Sequence, residues 1–162
     1  MLKISKTAKI SKLADIEDSI KGSLIEIGPN VMVDSFVKIK PAGGSGNLRI
    51  GENSNINSGT VVYLGNGVKI GKEVNIAANC TLAPTNHEIK DKNKLVREQR
   101  FMPSRGGIII EDDVWIGANS VILDGAILRK GCVIGASSLV NGEVSEYSIN
   151  VGNPLKTIGY RK

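Results

Sequence analysis

Aromatic rings and histidine are scarce in this sequence. Its 162 residues include two Phe, three Tyr and one Trp, with one His and two Cys. A core so poor in rings has to be filled by aliphatic side chains, and Ile, Val and Leu number 21, 14 and 11. One His and two Cys nearly exclude a multi-histidine metal centre, so no metal is expected. No stretch approaches the roughly 20 apolar residues of a membrane span. The start, Met1 to Lys6, is basic but has no apolar run behind it, so no secretory signal is expected and the chain reads as cytoplasmic. Apolar spacing of three and four, the mark of an amphipathic helix, is also missing. With 41% hydrophobic and 23% charged residues the chain is not disordered, and its length fits a single domain, residues 1–162.

The net charge is +5. Such a balance favours anionic ligands, meaning phosphate-bearing cofactors or an anionic membrane surface, or it has no role at all. The basic residues do not interleave with aromatics and no nucleic-acid motif is present, so no nucleic-acid partner is expected.

A period of six runs through the chain. Ile110, Ile116, Ile122, Leu128, Ile134 and Val140 are all aliphatic. Six such hits in a row would arise by chance roughly 5 times in 10,000. Four places after each stands a small or moderate residue: Val114, Ser120, Ala126, Cys132, Ser138 and Val144. Earlier triplets are Ile4-Ile10-Ile16, with Ala8, Ala14 and Ile20 four places on, then Ile27-Val33-Ile39, Ile50-Ile56-Val62 and Ile70-Ile76-Leu82. Six is three strand periods, so every sixth residue faces one way. Three hexads make a triangular coil, about six coils stack by parallel pairing, and the aliphatics fill a narrow prism. Gly follows the leading aliphatic in Ile27-Gly28, Ile50-Gly51, Ile70-Gly71, Ile116-Gly117 and Ile134-Gly135, which suits sharp corners.

The breaks in the period carry the most information. Gly43-Gly44-Ser45-Gly46 reads as a flexible corner, or less readily as a phosphate cradle, and Gly65-Asn66-Gly67 as a tight turn. Between Leu82 and Ile110 an excursion of about twenty residues, 88–107, leaves the prism. It is basic, and Phe101, Met102 and Pro103 give it something to bury, so an ordered arm is expected. His87 stands at its mouth. An imidazole there is either a surface histidine or a proton acceptor working near neutral pH. Trp115 follows the inward Val114 and should point outward, covered by a ligand or by a neighbouring subunit. Cys80 and Cys132 hold inward positions on different coils, which suits reduced core thiols. A Cys80–His87 nucleophilic pair is disfavoured because Cys80 faces inward.

The whole pattern resembles the left-handed parallel β-helix of the hexapeptide-repeat acyltransferases, an all-β fold. Handedness follows from that resemblance alone. Residues 70–158 resemble the maltose, galactoside and polysaccharide O-acetyltransferases of that superfamily. The matching segments are Ile76-Ala77-Ala78-Asn79-Cys80-Thr81, Thr85-Asn86-His87, Ile110 to Ala118 and Val151-Gly152-Asn153-Pro154-Leu155-Lys156. The likeness implies an acetyl-CoA-dependent O-acetyltransferase acting on a sugar of a surface polysaccharide or lipopolysaccharide, or on its precursor. It implies a homotrimer with active sites between subunits. It makes His87 the general base and places Asn79, Asn86 and Trp115 near the acceptor, although Asn79 is equally a polar residue at a solvated corner. Trp115, Ala118, Ala136, Asn141 and Lys156 fall at the coenzyme A, with only the backbone N–H of Ala118 left to contact the oxyanion. Asn141-Gly142 departs from the Thr-Lys pair of relatives, so Arg161, Lys162 or the basic arm would supply the missing cation. Two alternatives stand beside this: N-acetylation of an amino sugar, and a non-catalytic β-helix scaffold.

Overall fold

The computed structural model describes all residues, 1–162. The period of six appears in it as three walls of short parallel strands. The first wall holds seven: Leu2–Ile4, Ile25–Ile27, Leu48–Ile50, Val68–Ile70, Ile108–Ile110, Ile127–Leu128 and Glu143–Val144. The second runs Lys9–Ile10, Met32–Val33, Asn55–Ile56, Asn75–Ile76, Trp115–Ile116, Val133–Ile134 and Ser148–Val151. The third holds Asp15–Ile16, Lys38–Lys40, Val61–Tyr63, Thr81–Ala83, Val121–Leu123 and Leu139–Val140. The register is in phase throughout, with Ile76 opposite Ile56 and Ile116. The architecture is the left-handed parallel β-helix.

From the second coil on, the leading aliphatics and the residues two places before them form one buried column, as the period requires. Ile116, Ile122, Leu128, Ile134, Cys80 and Cys132 are all fully buried. At the inward positions Ser54, Thr60 and Ser120 the hydroxyl donates to a carbonyl of the next coil. Ser54 Oγ donates to the Gly71 carbonyl at 2.9 Å and accepts from the Val74 N–H at 3.0 Å. Such bonds let a polar atom sit in the core without the cost of an orphaned group.

Corners are made differently from the expectation. The glycines after the leading aliphatics are there for closeness between coils. A Cβ on Gly117 would lie 2.4 Å from the Ala136 nitrogen. The bend itself is taken further along, by left-handed residues stacked in two columns. Asn30, Asn53, Glu73, Asp113, Gly131 and Tyr147 turn the first wall into the second. Phe36, Gly59, Asn79, Asn119 and Ser137 turn the second into the third. The Gly43–Gly46 run is likewise packed and not loose, since Gly46 N–H donates to the Gly65 carbonyl at 2.8 Å and a Cβ on Gly44 would meet that oxygen.

The two ends of the prism differ. At the C-terminal end the tail is a strand, Lys156–Tyr160, which turns back antiparallel onto Ser148–Val151. Beneath it Asn150 and Ser148 are buried and hydrogen-bonded to each other at 2.8 Å, and Thr157 Oγ1 donates to Asn150 Oδ1 at 2.7 Å. The N-terminal coil has no such cover. Ile4 is exposed, and Ile20, expected inward, is fully exposed because the chain leaves the prism after Ile16.

Candidate functional site

The arm leaves the prism at the corner between the third and first walls, after strand Thr81–Ala83. It is ordered, as expected, but hydrogen bonds order it more than burial does. Met102 N–H donates to the Asn86 carbonyl at 2.8 Å and Glu88 N–H to the Arg100 carbonyl at 3.0 Å. His87 and Phe101 thereby face each other across a short antiparallel bridge. Further out, Gln99 on the four-residue helix Val96–Gln99 ties the tip together, accepting from Asp91 N–H at 3.0 Å and donating to the carbonyls of Asp91 and Lys94. Phe101 itself stays exposed, so the idea that it anchors the arm by burial is corrected.

The arm's return is fixed by a residue that sequence reasoning missed. Asp124 is 1% exposed, and its carboxylate accepts the N–H groups of Arg105 at 2.8 Å and Gly107 at 2.9 Å. In the sequence it stands in an ordinary Leu-Asp-Gly turn, with no signal that sets it apart.

His87 is exposed, and its ring packs on Phe101 with centroids 4.8 Å apart. The two line an open hollow of about 570 Å³ together with Arg97, Glu98 and Arg100. Arg100 has φ +62° and ψ −137°, a conformation natural to glycine, held by the bridge on either side. No ion pair engages Arg97 or Arg100.

The other candidates lie elsewhere on the prism. Asn79, Ala118 and Ala136 share the second-to-third corner in successive coils, linked by Asn119 N–H to the Ala78 carbonyl and Ser137 N–H to the Ala118 carbonyl. The N–H groups of Ala118 and Ala136 have no partner within the chain. Trp115 points outward on the second wall between Asn75 and Val133, 46% exposed. Lys156 is exposed at the start of the antiparallel strand, opposite Val151. Asn141 shares the corner of His87, and its carbonyl accepts from the Arg105 guanidinium at 2.9 Å. Asn86 and His87 therefore sit on one edge of the third wall and Asn79, Ala118 and Ala136 on the other. Arg161 is already engaged, with Nη1 donating to Asp113 Oδ2 and the Gly131 carbonyl, each at 2.9 Å.

The thiols are not part of any such site. Both are free and buried. Burial pushes the Cys80 thiol up and that of Cys132 up to about 12. A protonated thiol facing the core is no nucleophile.

Two family models match the chain: bacterial transferase hexapeptide (six repeats) over residues 107–142, and hexapeptide repeat of succinyl-transferase over 47–84. The chain is 31% identical to the galactoside O-acetyltransferase of Escherichia coli, over 91% of this chain and 70% of that one. It is 28% identical to a Mycobacterium tuberculosis protein named Probable acetyltransferase, over 94% of this chain, and spans half of that relative's length. A structure of a variant of AntD, an N-acyltransferase from Bacillus cereus, in complex with dTDP-4-amino-4,6-dideoxyglucose and coenzyme A, is similar with a TM-score of 0.82. Its identity is 28%, over 99% of this chain and 84% of that one.

Proposed function

This chain belongs to the hexapeptide-repeat acyltransferases, and from that membership we propose that it moves an acetyl group from acetyl-coenzyme A to a sugar hydroxyl of a surface polysaccharide or lipopolysaccharide, or of its precursor. The observation that carries the reading is His87: the chain's one imidazole is exposed and held against Phe101 at the mouth of an ordered basic arm. An exposed imidazole packed against Phe101 on one side is free on the other to accept a hydroxyl proton.

In the proposed reaction the imidazole of His87 takes the acceptor's hydroxyl proton as that oxygen bonds to the thioester carbonyl carbon. The carbonyl oxygen gains charge, and the unpaired Ala118 N–H is the donor offered to it. When the carbon–sulfur bond breaks, the imidazolium returns the proton to the thiolate of coenzyme A. Trp115, the Ala136 N–H and Lys156 form the cosubstrate groove: an apolar ring for pantetheine, a backbone donor and a cation for phosphate. The arm's Arg97 and Arg100 take the place of the cation that Asn141-Gly142 lacks, since Arg161 is occupied within the fold.

One chain keeps His87 and the Ala118–Ala136 column on opposite edges of the third wall. A site that uses both needs the His87 edge of one copy beside the second-to-third corner of another. This supports a homotrimer with three shared sites. A second reading, N-acyl transfer to an amino sugar, is favoured by the likeness to AntD, because a neutral imidazole serves an ammonium-derived amine equally well.

The deciding experiment is acyl transfer from acetyl-CoA to matched panels of hydroxy and amino sugars, followed by coenzyme A thiol release. Turnover on hydroxy sugars supports the first reading. Turnover confined to amino sugars selects the second, and none on either panel removes both.

A further inference from the structure

Ile20 and Phe36 are large apolar side chains that find no cover in their own chain. Ile20 is fully exposed on the loop that joins the third wall to the first at the end of the first coil. Phe36 stands at the second-to-third corner of the second coil with φ +64°, where later coils use Gly59, Asn79, Asn119 and Ser137. A bulky side chain in the left-handed region is strained where glycine or asparagine is not. The ring gains no burial in return, being 61% exposed. Leu13, also exposed, holds the same corner in the first coil, and its carbonyl accepts from Phe36 N–H at 3.1 Å.

These side chains lie on the two edges of the third wall. Ile20 is on the edge that carries His87, and Leu13 and Phe36 are on the edge that carries Asn79 and Ala118. The shared site sets one edge of a copy against the other edge of the next. It also sets their relative height. His87 follows the fourth coil, and Asn79 and Ala118 belong to the fourth and fifth, so like coils meet and the threefold axis runs along the prism. Rotation about such an axis moves no residue along it. Leu13 of one copy therefore meets Ile20 of the next, and Phe36 meets the corner that ends the second coil, residues 41–44.

The two edges match in shape and in charge. Ala42, Gly43 and Gly44 offer a ring little or no side chain to displace, and the adjoining Lys40 is held by Asp15 and Glu17 at 2.6 and 3.1 Å. Lys12, beside Leu13, makes no ion pair in its own chain. The edge it faces carries Glu17 and Asp18, which pair with Lys40 and the Met1 ammonium yet stay more than half exposed. Between the edges, Val61, Val121, Leu123 and Leu139 point outward half-buried, so the wall that faces the axis is apolar beyond the second coil.

On the basis of the shared-site trimer, we infer that Leu13 and Phe36 of each copy seat on Ile20 and on residues 41–44 of the next, locking the N-terminal end of the assembly. Contact between unlike edges closes into a ring under threefold rotation. It takes the exposed apolar groups out of water and offsets the strain at Phe36.

The test is sedimentation equilibrium of the full chain over a range of protein concentrations, without substrate. Leu13→Glu sets a carboxylate against Glu17 and Asp18 of the next copy, and Ile20→Lys sets an ammonium against its Lys12. Each should move the dissociation midpoint of the trimer to about tenfold higher protein concentration or beyond. Ile20 is fully exposed in its own chain, so an effect there reports the other copy. The double variant Leu13→Glu/Ile20→Lys places opposite charges across the contact and should recover most of the loss. Phe36→Asn should weaken the trimer as well, although it relieves backbone strain, and circular dichroism checks that each variant is folded. A trimeric wild type whose midpoint ignores these variants leaves the two edges to another partner and overturns the contact alone. A double variant no better than the two singles does the same. A wild type that stays monomeric overturns the shared site together with the contact.

Discussion

The imidazole of His87 lies against the ring of Phe101, with centroids 4.8 Å apart and planes tilted by 44°. The pair joins the prism to the arm and is the contact that biases where the proposed base points. Aromatic pairs of this kind contribute about 0.5–1.5 kcal/mol beyond area. Phe101→Ala should therefore lower kcat by up to about tenfold, with acetyl-CoA KM and Tm little changed because Phe101 is half exposed. Steady-state kinetics with unchanged kcat would reduce Phe101 to a strut.

His87→Ala should lower kcat by about 10²–10⁴-fold, the usual worth of a general base. Coenzyme A affinity and oligomeric state should stay as they are, since His87 is on the surface. A variant within threefold of wild type would move the base elsewhere, to Glu88 or Asp91 in the arm.

Asp124 anchors the arm through two N–H groups. Asp124→Ala leaves the buried Gly107 N–H and the part-buried Arg105 N–H without a partner, at a cost of about 1–3 kcal/mol, chiefly from Gly107. The arm carries several Lys and Arg residues, so limited trypsin digestion reads the effect directly. The variant should be cut within residues 90–105 much faster than wild type, while the β-helix core survives. Equal cutting rates would show that the bridge at His87 holds the arm alone.

The parts that could be read in the sequence are those in which side-chain direction repeats. Ile110 to Val140 at steps of six gave the buried column, and Trp115 was outward by simple alternation. Cys80 and Cys132 were inward for the same reason. Ile20 failed because nothing in the periodicity marks where the chain leaves the prism. The corner glycines were assigned to bending, whereas Gly117 is needed for close approach and Asn119 makes the turn. Asp124 was invisible because its partners, Arg105 and Gly107, are reached only through the third dimension. The same holds for the separation of His87 from Ala118, which depends on which wall each strand joins.

The thiols allow a prediction in alkali. Folding raises the pKa of Cys132 to about 12 and raises that of Cys80, both chiefly by burial. The unfolded thiols ionise from about pH 9, so above that the unfolded chain binds fewer protons than the folded one, and stability falls as pH rises. Below that point the thiols contribute no pH dependence. Tm measured from pH 8 upward should fall less steeply in Cys132→Ala than in wild type. At neutral pH neither thiol should react with iodoacetamide until the chain unfolds, and rapid native labelling would contradict their burial.

Arg100 offers the sharpest separation of structure from function. Its backbone, φ +62° and ψ −137°, is one that glycine adopts freely and other residues adopt at a cost of about 1–3 kcal/mol. Its guanidinium lines the hollow beside His87 and makes no ion pair. If the side chain serves an anionic group of a substrate, two variants should divide the effects. Arg100→Gly should gain about 1 kcal/mol of stability, net of glycine's unfolded-state entropy. Arg100→Ala keeps the strain and should not gain. Both lose the guanidinium, so both should raise the KM of whichever substrate it holds. Acetyl-CoA and acetyl-dephospho-CoA tell the two substrates apart: wild type should prefer the 3′-phosphate form if Arg100 binds it, and both variants should lose that preference. If the preference is unchanged and only the acceptor KM rises, the charge faces the sugar. Unchanged kinetics in both variants, with Gly still stabilising, would leave Arg100 as a strained turn with no part in substrate binding.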